Sequence, residues 1–183
     1  MQEISLNILD IAQNSIRAGA KNIHIEIVES ALRDLFEFTV RDDGCGMSEE
    51  LLRRVTDPFV TTRTTRKVGL GISLLKSAAQ QTGGDVTIES ELNKGTTLTA
   101  TFSYSSIDRQ PLGDIAAVIA SLIGMNTQCD FYYRHTAEDK TFELDTKQLR
   151  AVLGDVSLAE ISVVQWITQY INEGLTEIYG GVK

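Results

Sequence analysis

The chain has 183 residues, of which 42% are apolar, 23% charged and 7% aromatic; this is the composition of a globular protein, not a disordered or fibrous one. Against 25 Asp and Glu stand 17 Lys and Arg, a net charge of −8, which argues against a broad basic footprint for nucleic acid or an anionic membrane. No run of about eighteen apolar residues suggests a membrane span, and no basic segment precedes the apolar stretch of MQEISLNILDIAQNS, so a cytoplasmic protein is expected.

Ile4, Ile8, Ile11, Ala12, Ser15 and Ile16 form a helical stripe that can stop at Gly19. Ile23, Ile25 and Ile27 then alternate with polar residues, as do Phe36, Phe38 and Val40 after a turn, which predicts two antiparallel strands. Ser48 to Leu51 reads as a short capped helix, followed by a polar, Thr-rich and basic stretch to Lys67. A second long helix is predicted from Leu70 to Thr82, ended by Gly83 and Gly84. Two more strands, Val86/Ile88 and Leu98/Ala100/Phe102, flank the Asn93-Lys94-Gly95 turn. The expected fold class is α+β, with helices on one face of a mixed, mostly antiparallel sheet.

Near Pro111 the pattern changes, and a boundary is expected between residues 1–105 and 106–183. The second segment predicts a helix over Ile115–Ile123, a hairpin of Phe131–Arg134 with Thr141–Leu144, and helices over Thr146–Leu153 and Leu158–Tyr179. It carries 11 acidic and 6 basic residues, and its Trp166, Tyr170 and Ile171 stripe is either a docking surface or the core of a small α+β appendage. Cys45 and Cys129, with only His24 and His135 for company, lack zinc-site spacing and are expected to be buried free thiols.

Asn14 falls within the first helix, where an amide side chain competes with the backbone, and Asp10 lies four residues earlier on the same face. A carboxylate one turn from an amide oxygen suits a proton acceptor beside a magnesium ligand, unless both are simply solvated. Asp42 ends a strand at a glycine-rich turn, where Gly44 and Gly46 let a flat ring approach the backbone. Gly69-Leu70-Gly71 opens a helix whose N-terminal N–H groups and dipole favour phosphate. From Arg53 to Lys67 lie five cations, Arg53, Arg54, Arg63, Arg66 and Lys67, and one acid, Asp57, a composition suited to a lid over polyphosphate.

On these motifs the first 105 residues resemble the ATP-binding domain shared by DNA gyrase, ninety-kilodalton heat-shock chaperones, histidine kinases and mismatch-repair ATPases, with its Bergerat-type α/β sandwich. The helix motif corresponds to Asp10-Ile11-Ala12-Gln13-Asn14-Ser15 and the D-x-G-x-G motif to Asp42-Asp43-Gly44-Cys45-Gly46. The phenylalanine motif is similar to Asp57-Pro58-Phe59-Val60-Thr61-Thr62-Arg63, the G-x-G motif to Gly69-Leu70-Gly71, and the last motif to Lys94-Gly95-Thr96-Thr97. The resemblance implies ATP and magnesium as ligands, with Asn14 on the metal and Asp42 on adenine. It places Phe59, Thr61, Thr62, Arg63, Arg66, Lys67 and Thr96 at the nucleotide.

The stretch from Asn14 to Ala20 is similar to the mismatch-repair branch, whereas the lid and the residues after it resemble histidine kinases. Where gyrase-like ATPases carry a catalytic glutamate, this chain has Asp10, one methylene shorter. Histidine kinases present a phosphoacceptor histidine on a helical hairpin before the ATP domain, and only nine residues precede Asp10 here. His24 reads as an exposed strand residue and His135 as a hairpin-end residue, neither suited to accept phosphate. The expectation is a kinase-like regulator acting on a partner protein in trans, with a slow ATPase switch or a non-catalytic ATP/ADP sensor as alternatives; a homodimer stays open.

Overall fold

The computed structural model describes residues 3–56 and 70–180. The described elements run α1 (Ile4–Arg17), β1 (Asn22–Ser30), β2 (Leu35–Asp42), α2 (Glu49–Thr56), α3 (Leu70–Gln81), β3 (Val86–Glu91), β4 (Gly95–Ser103), α4 (Ile115–Met125), β5 (Asp130–Ala137), β6 (Lys140–Asp145), α5 (Thr146–Leu153) and α6 (Ile161–Ile178). α1 buries Ile4, Ile8, Ala12 and Ser15, one face of a helix, and ends where Gly19 takes φ +79°. No helix among the described residues is long and apolar enough to cross a membrane.

One six-stranded sheet has the order β3-β4-β2-β1-β5-β6. Its pairs are antiparallel except β1 with β5, which run parallel. Period-two alternation turns Ile23, Ile25 and Ile27 to the same side as Phe36, Phe38 and Val40, to which β1 is registered in the order Ile27 to Phe38 and Ile25 to Val40. The helices cover that side, while the other carries polar side chains such as Thr39, Thr99 and Arg134.

Residues 106–183 add β5 and β6 to the same sheet, and side chains on both sides of position 105 share one apolar core. The parallel β1–β5 pairing joins residues more than a hundred positions apart, a contact that leaves no mark in local periodicity. The segment also holds the start of α1: Ile4 N–H donates to Pro111 O at 2.9 Å and Ser5 N–H to Leu112 O at 2.8 Å. Gly113, at φ +78°, sits so close that a Cβ would lie 2.1 Å from Glu3 Oε2.

Two sequence expectations change, and the open reading of the α6 stripe divides between its residues. Cys45 is exposed on the glycine turn, and only Cys129 is a buried thiol, pushed up to about 11 chiefly by burial. His135 is inside β5, fully buried, because β5 runs on to Ala137. In the α6 stripe Ile171 is core, whereas Trp166 and Tyr170 stack on each other at 5.1 Å and are half-exposed.

His135 anchors a polar cluster beneath the end of α6. Its Nδ1 lies 2.7 Å from the Tyr133 hydroxyl and its Nε2 2.8 Å from Glu29 Oε1, which also accepts from the Tyr179 hydroxyl. Burial alone would raise the Glu29 carboxyl, but the hydrogen bonds from His135 and Tyr179 hold it below its ordinary 4.5. A carboxyl whose folded pKa is depressed contributes stability above the unfolded value and loses it as pH falls through the folded one. The stability gap between parent and Glu29→Gln is therefore expected to be full at neutral pH and to close as pH drops below 4.5, as urea denaturation at a series of pH values would show. A gap constant down to pH 3 would contradict an ionised Glu29 in the core.

Candidate functional site

Asp42 is the last residue of β2 and is only 8% exposed. A carboxylate taken out of water is costly unless hydrogen-bonded. Here Ser15 Oγ donates to Oδ2 at 2.5 Å and Gly44 N–H donates to Oδ1 at 2.9 Å. Each oxygen has a further lone pair, so these bonds fix the carboxylate's direction and leave it able to accept from a ligand.

Two glycines permit the close packing around it. Gly95, at φ +97°, lies so near that a Cβ would be 1.9 Å from Asp42 O, and a Cβ on Gly46, at φ +62°, would be 2.0 Å from Glu91 O. Thr96 is the register partner of Asp42 across β2 and β4. Its Oγ1 is 2.9 Å from Ser90 Oγ, which accepts from Met47 N–H at 2.9 Å and donates to Gly95 O at 3.0 Å. The glycine turn is also held at Cys45, whose N–H donates to Ala18 O at 2.9 Å and whose carbonyl accepts from Asn93 N–H at 2.7 Å. The D-x-G-x-G turn is thus wedged between the end of α1 and the β3–β4 turn.

Asn14 precedes Ser15 on α1 and is half-buried, its Oδ1 accepting from Arg17 at 3.1 Å. Asp10, one turn earlier, is exposed. Among the described residues no group of three or more His, Cys, Asp or Glu is gathered for a metal ion. The Asn14 amide oxygen is a hard donor of the kind that fits a magnesium ion taking its remaining ligands from phosphate and water. α3 begins at Leu70, has no acid in its first turn and packs against α1, β3 and β4. Gly71 is exposed, and a Cβ there would meet nothing within 4 Å. Packing with the described residues does not demand glycine at Gly71.

The fold therefore gathers Asn14, Asp42, Gly44, Gly46 and Thr96 at one end of the sheet. Phe59, Thr61, Thr62, Arg63, Arg66, Lys67 and Gly69 lie outside the described residues, as does the side chain of Leu70. Ser15 is legible in sequence only as part of the α1 stripe; a hydroxyl at an apolar position of that stripe is the signal of a buried polar partner.

The family described as "Histidine kinase-, DNA gyrase B-, and HSP90-like ATPase" matches residues 2–106. The sensor kinase CckA of Brucella abortus is 36% identical over 86 residues, covering 46% of this chain, and the chain spans 9% of that protein's length. Among solved structures, the N-terminal domain of a DNA repair protein aligns with 98% of this chain and 57% of its own, at TM-score 0.56 and 14% identity. The MutL ATPase domain of Aquifex aeolicus, complexed with ADP, aligns with 84% of this chain and 69% of its own, at TM-score 0.51 and 15% identity. The sequence likeness lies with kinases, and the fold likeness reaches through the C-terminal segment.

Ser15→Ala leaves Asp42 with one donor in a nearly dry site, and the unmade hydrogen bond costs about 1–3 kcal/mol. A lowered urea midpoint with an unchanged slope is the expected result. An unchanged midpoint would mean that water already reaches the carboxylate.

Proposed function

The chain belongs to the histidine kinase-, DNA gyrase B- and HSP90-like ATPase family, and from that premise we propose that it is an MgATP-dependent, kinase-like regulator that phosphorylates a partner protein in the cytoplasm. The observation that carries the reading is the buried Asp42 carboxylate, fixed by Ser15 and Gly44 at a glycine turn beside α1. A preset acceptor in an almost dry niche recognises an exocyclic amino group, because a ligand without that donor leaves the carboxylate unmatched.

In this reading the adenine amino group donates to Asp42 while Gly44, Gly46 and Thr96 flank the base. Asn14 contributes an amide oxygen to the magnesium ion of the MgATP substrate, and the phosphates face the start of α3. Arg63, Arg66 and Lys67 meet the γ-phosphate. A hydroxyl or imidazole of the partner attacks the γ-phosphorus, its proton passes to the Asp10 carboxylate, and ADP departs with the bridging oxygen. Neither histidine of the chain suits the acceptor role. His135 is fully buried with both ring nitrogens engaged, and His24 lies on β1 with its ring 5.3 Å from Tyr132. Residues 106–183 are the proposed partner-recognising part. The exposure of Asp10 favours a second reading in which water replaces the partner and the protein is an ATP-hydrolysing switch.

Asp42→Asn presents an amide donor to the adenine amino group and is expected to abolish ADP binding by calorimetry. Binding within twofold of the parent would remove Asp42 from the adenine site. Asp10→Asn keeps the shape and removes the proton acceptor, so turnover is expected to fall roughly a hundredfold while ADP affinity is retained. Labelled ATP with candidate partners separates the readings, since label on a partner marks a kinase and free phosphate alone marks the switch.

A further inference from the structure

The family match ends at residue 106, yet a side chain well beyond it bonds to the β1 residue that holds the glycine turn. β6 runs antiparallel to β5 and β5 parallel to β1, so the end of β6 and the start of α5 lie at the same end of the sheet as the beginning of β1 and the end of β2. There Asp43, the residue after Asp42, accepts from the N–H groups of Lys21 at 2.7 Å and Asn22 at 2.9 Å through Oδ1. Its Oδ2 accepts from Asn22 Nδ2 at 2.7 Å. The other end of that amide, Asn22 Oδ1, accepts from Lys147 Nζ at 2.7 Å. The same short segment receives β5, with Asp130 N–H donating to Lys21 O at 2.8 Å.

The chemistry of this chain sets its direction. An amide can turn end for end, but with Lys147 on one side and Asp43 on the other only one orientation is tolerable. The reverse would set carbonyl against carboxylate and NH2 against ammonium. Lys147 thereby keeps the donor end of Asn22 aimed at Asp43. Hydrogen bonds from Asn22 and Lys21 outweigh burial and hold the Asp43 carboxyl below its ordinary range, as expected for a carboxylate bound in its charged form.

We propose that Lys147 is a positioning residue for the nucleotide site, acting through Asn22 and Asp43 to hold the Asp42-Asp43-Gly44 turn in the geometry that presents Asp42. The inference rests on the ATP-binding reading and extends it: the C-terminal segment is part of the machinery that sets nucleotide affinity. It also gives a partner seated near α5 a route to that affinity, since whatever draws Lys147 away from Asn22 releases the turn.

The test is a calorimetric MgADP titration of the full chain with Lys147→Met, Lys147→Arg, Asp43→Ala and the Lys147→Met/Asp43→Ala double variant. Lys147 is exposed, so folding is expected to survive. Loss of one charge-assisted surface hydrogen bond predicts about threefold weaker binding for Lys147→Met, with Lys147→Arg restoring it. In the Asp43→Ala background Lys147→Met is expected to add nothing. If the threefold loss persists in that background, Lys147 acts only as a distant cation on the ligand's charge and the proposal fails; parent-like binding by Lys147→Met overturns it as well. Hydrogen exchange without nucleotide supplies the independent reading, because the Gly44 and Cys45 amides are expected to exchange faster in Lys147→Met than in the parent. A parent that binds no ADP would refute the nucleotide reading alone, whereas unchanged exchange at those amides would refute the positioning role.

Discussion

A carboxylate held almost out of water at the end of a strand is the constraint on which the rest of this structure turns. Asp42 needs two donors, and they come from two places: Ser15 on α1 and the backbone N–H of Gly44. The first fixes how α1 lies against β2, because a hydroxyl 2.5 Å from Oδ2 leaves little freedom of rotation or slide. The second fixes the turn. Gly95 then has to be glycine, since a side chain there would occupy the Asp42 carbonyl, and β4 can draw level with β2 only on that condition. The same two bonds satisfy the buried carboxylate and leave each of its oxygens a further lone pair.

Much of this is legible in the residues. Periodicity locates α1, α3 and α4 and the four strands of the first segment, because each has one face in the core and one outside. The ordered motifs mark Asp42, Gly44, Gly46 and Thr96 as neighbours without any distance in hand. What local pattern does not carry is long-range pairing. β5 lies parallel to β1 across more than a hundred residues, so the C-terminal segment reads as an appendage although it completes the sheet. For the same reason His135 reads as a hairpin end, when its place is set by Glu29 and Tyr179, neither of them nearby in sequence. Cys45 departs from expectation differently: thiols are usually buried, but this one lies exposed on the glycine turn, whose backbone is held by Ala18 and Asn93 without the side chain.

The C-terminal segment has a double attachment to the nucleotide domain. At one end of the sheet, Pro111 and Leu112 carbonyls take up N–H groups at the start of α1, which would otherwise lack partners. At the other end, β5 and α5 meet the Lys21–Asn22 segment from which the glycine turn hangs. A helix bearing Asp10 and Asn14 is thus gripped at its beginning and followed immediately by the second attachment. Structural likeness to the DNA repair protein extends over 98% of the chain, which fits a single folded unit whose two segments are joined by hydrogen bonds as well as by the core.

In a crystal structure of the protein grown with MgADP, adenine is expected against the glycine turn with its amino group within hydrogen-bond distance of Asp42, Ser15 still on Oδ2, and the phosphates at the start of α3. Nucleotide bound elsewhere, or bound at this end of the sheet with Asp42 making no contact to the base, would contradict that placement.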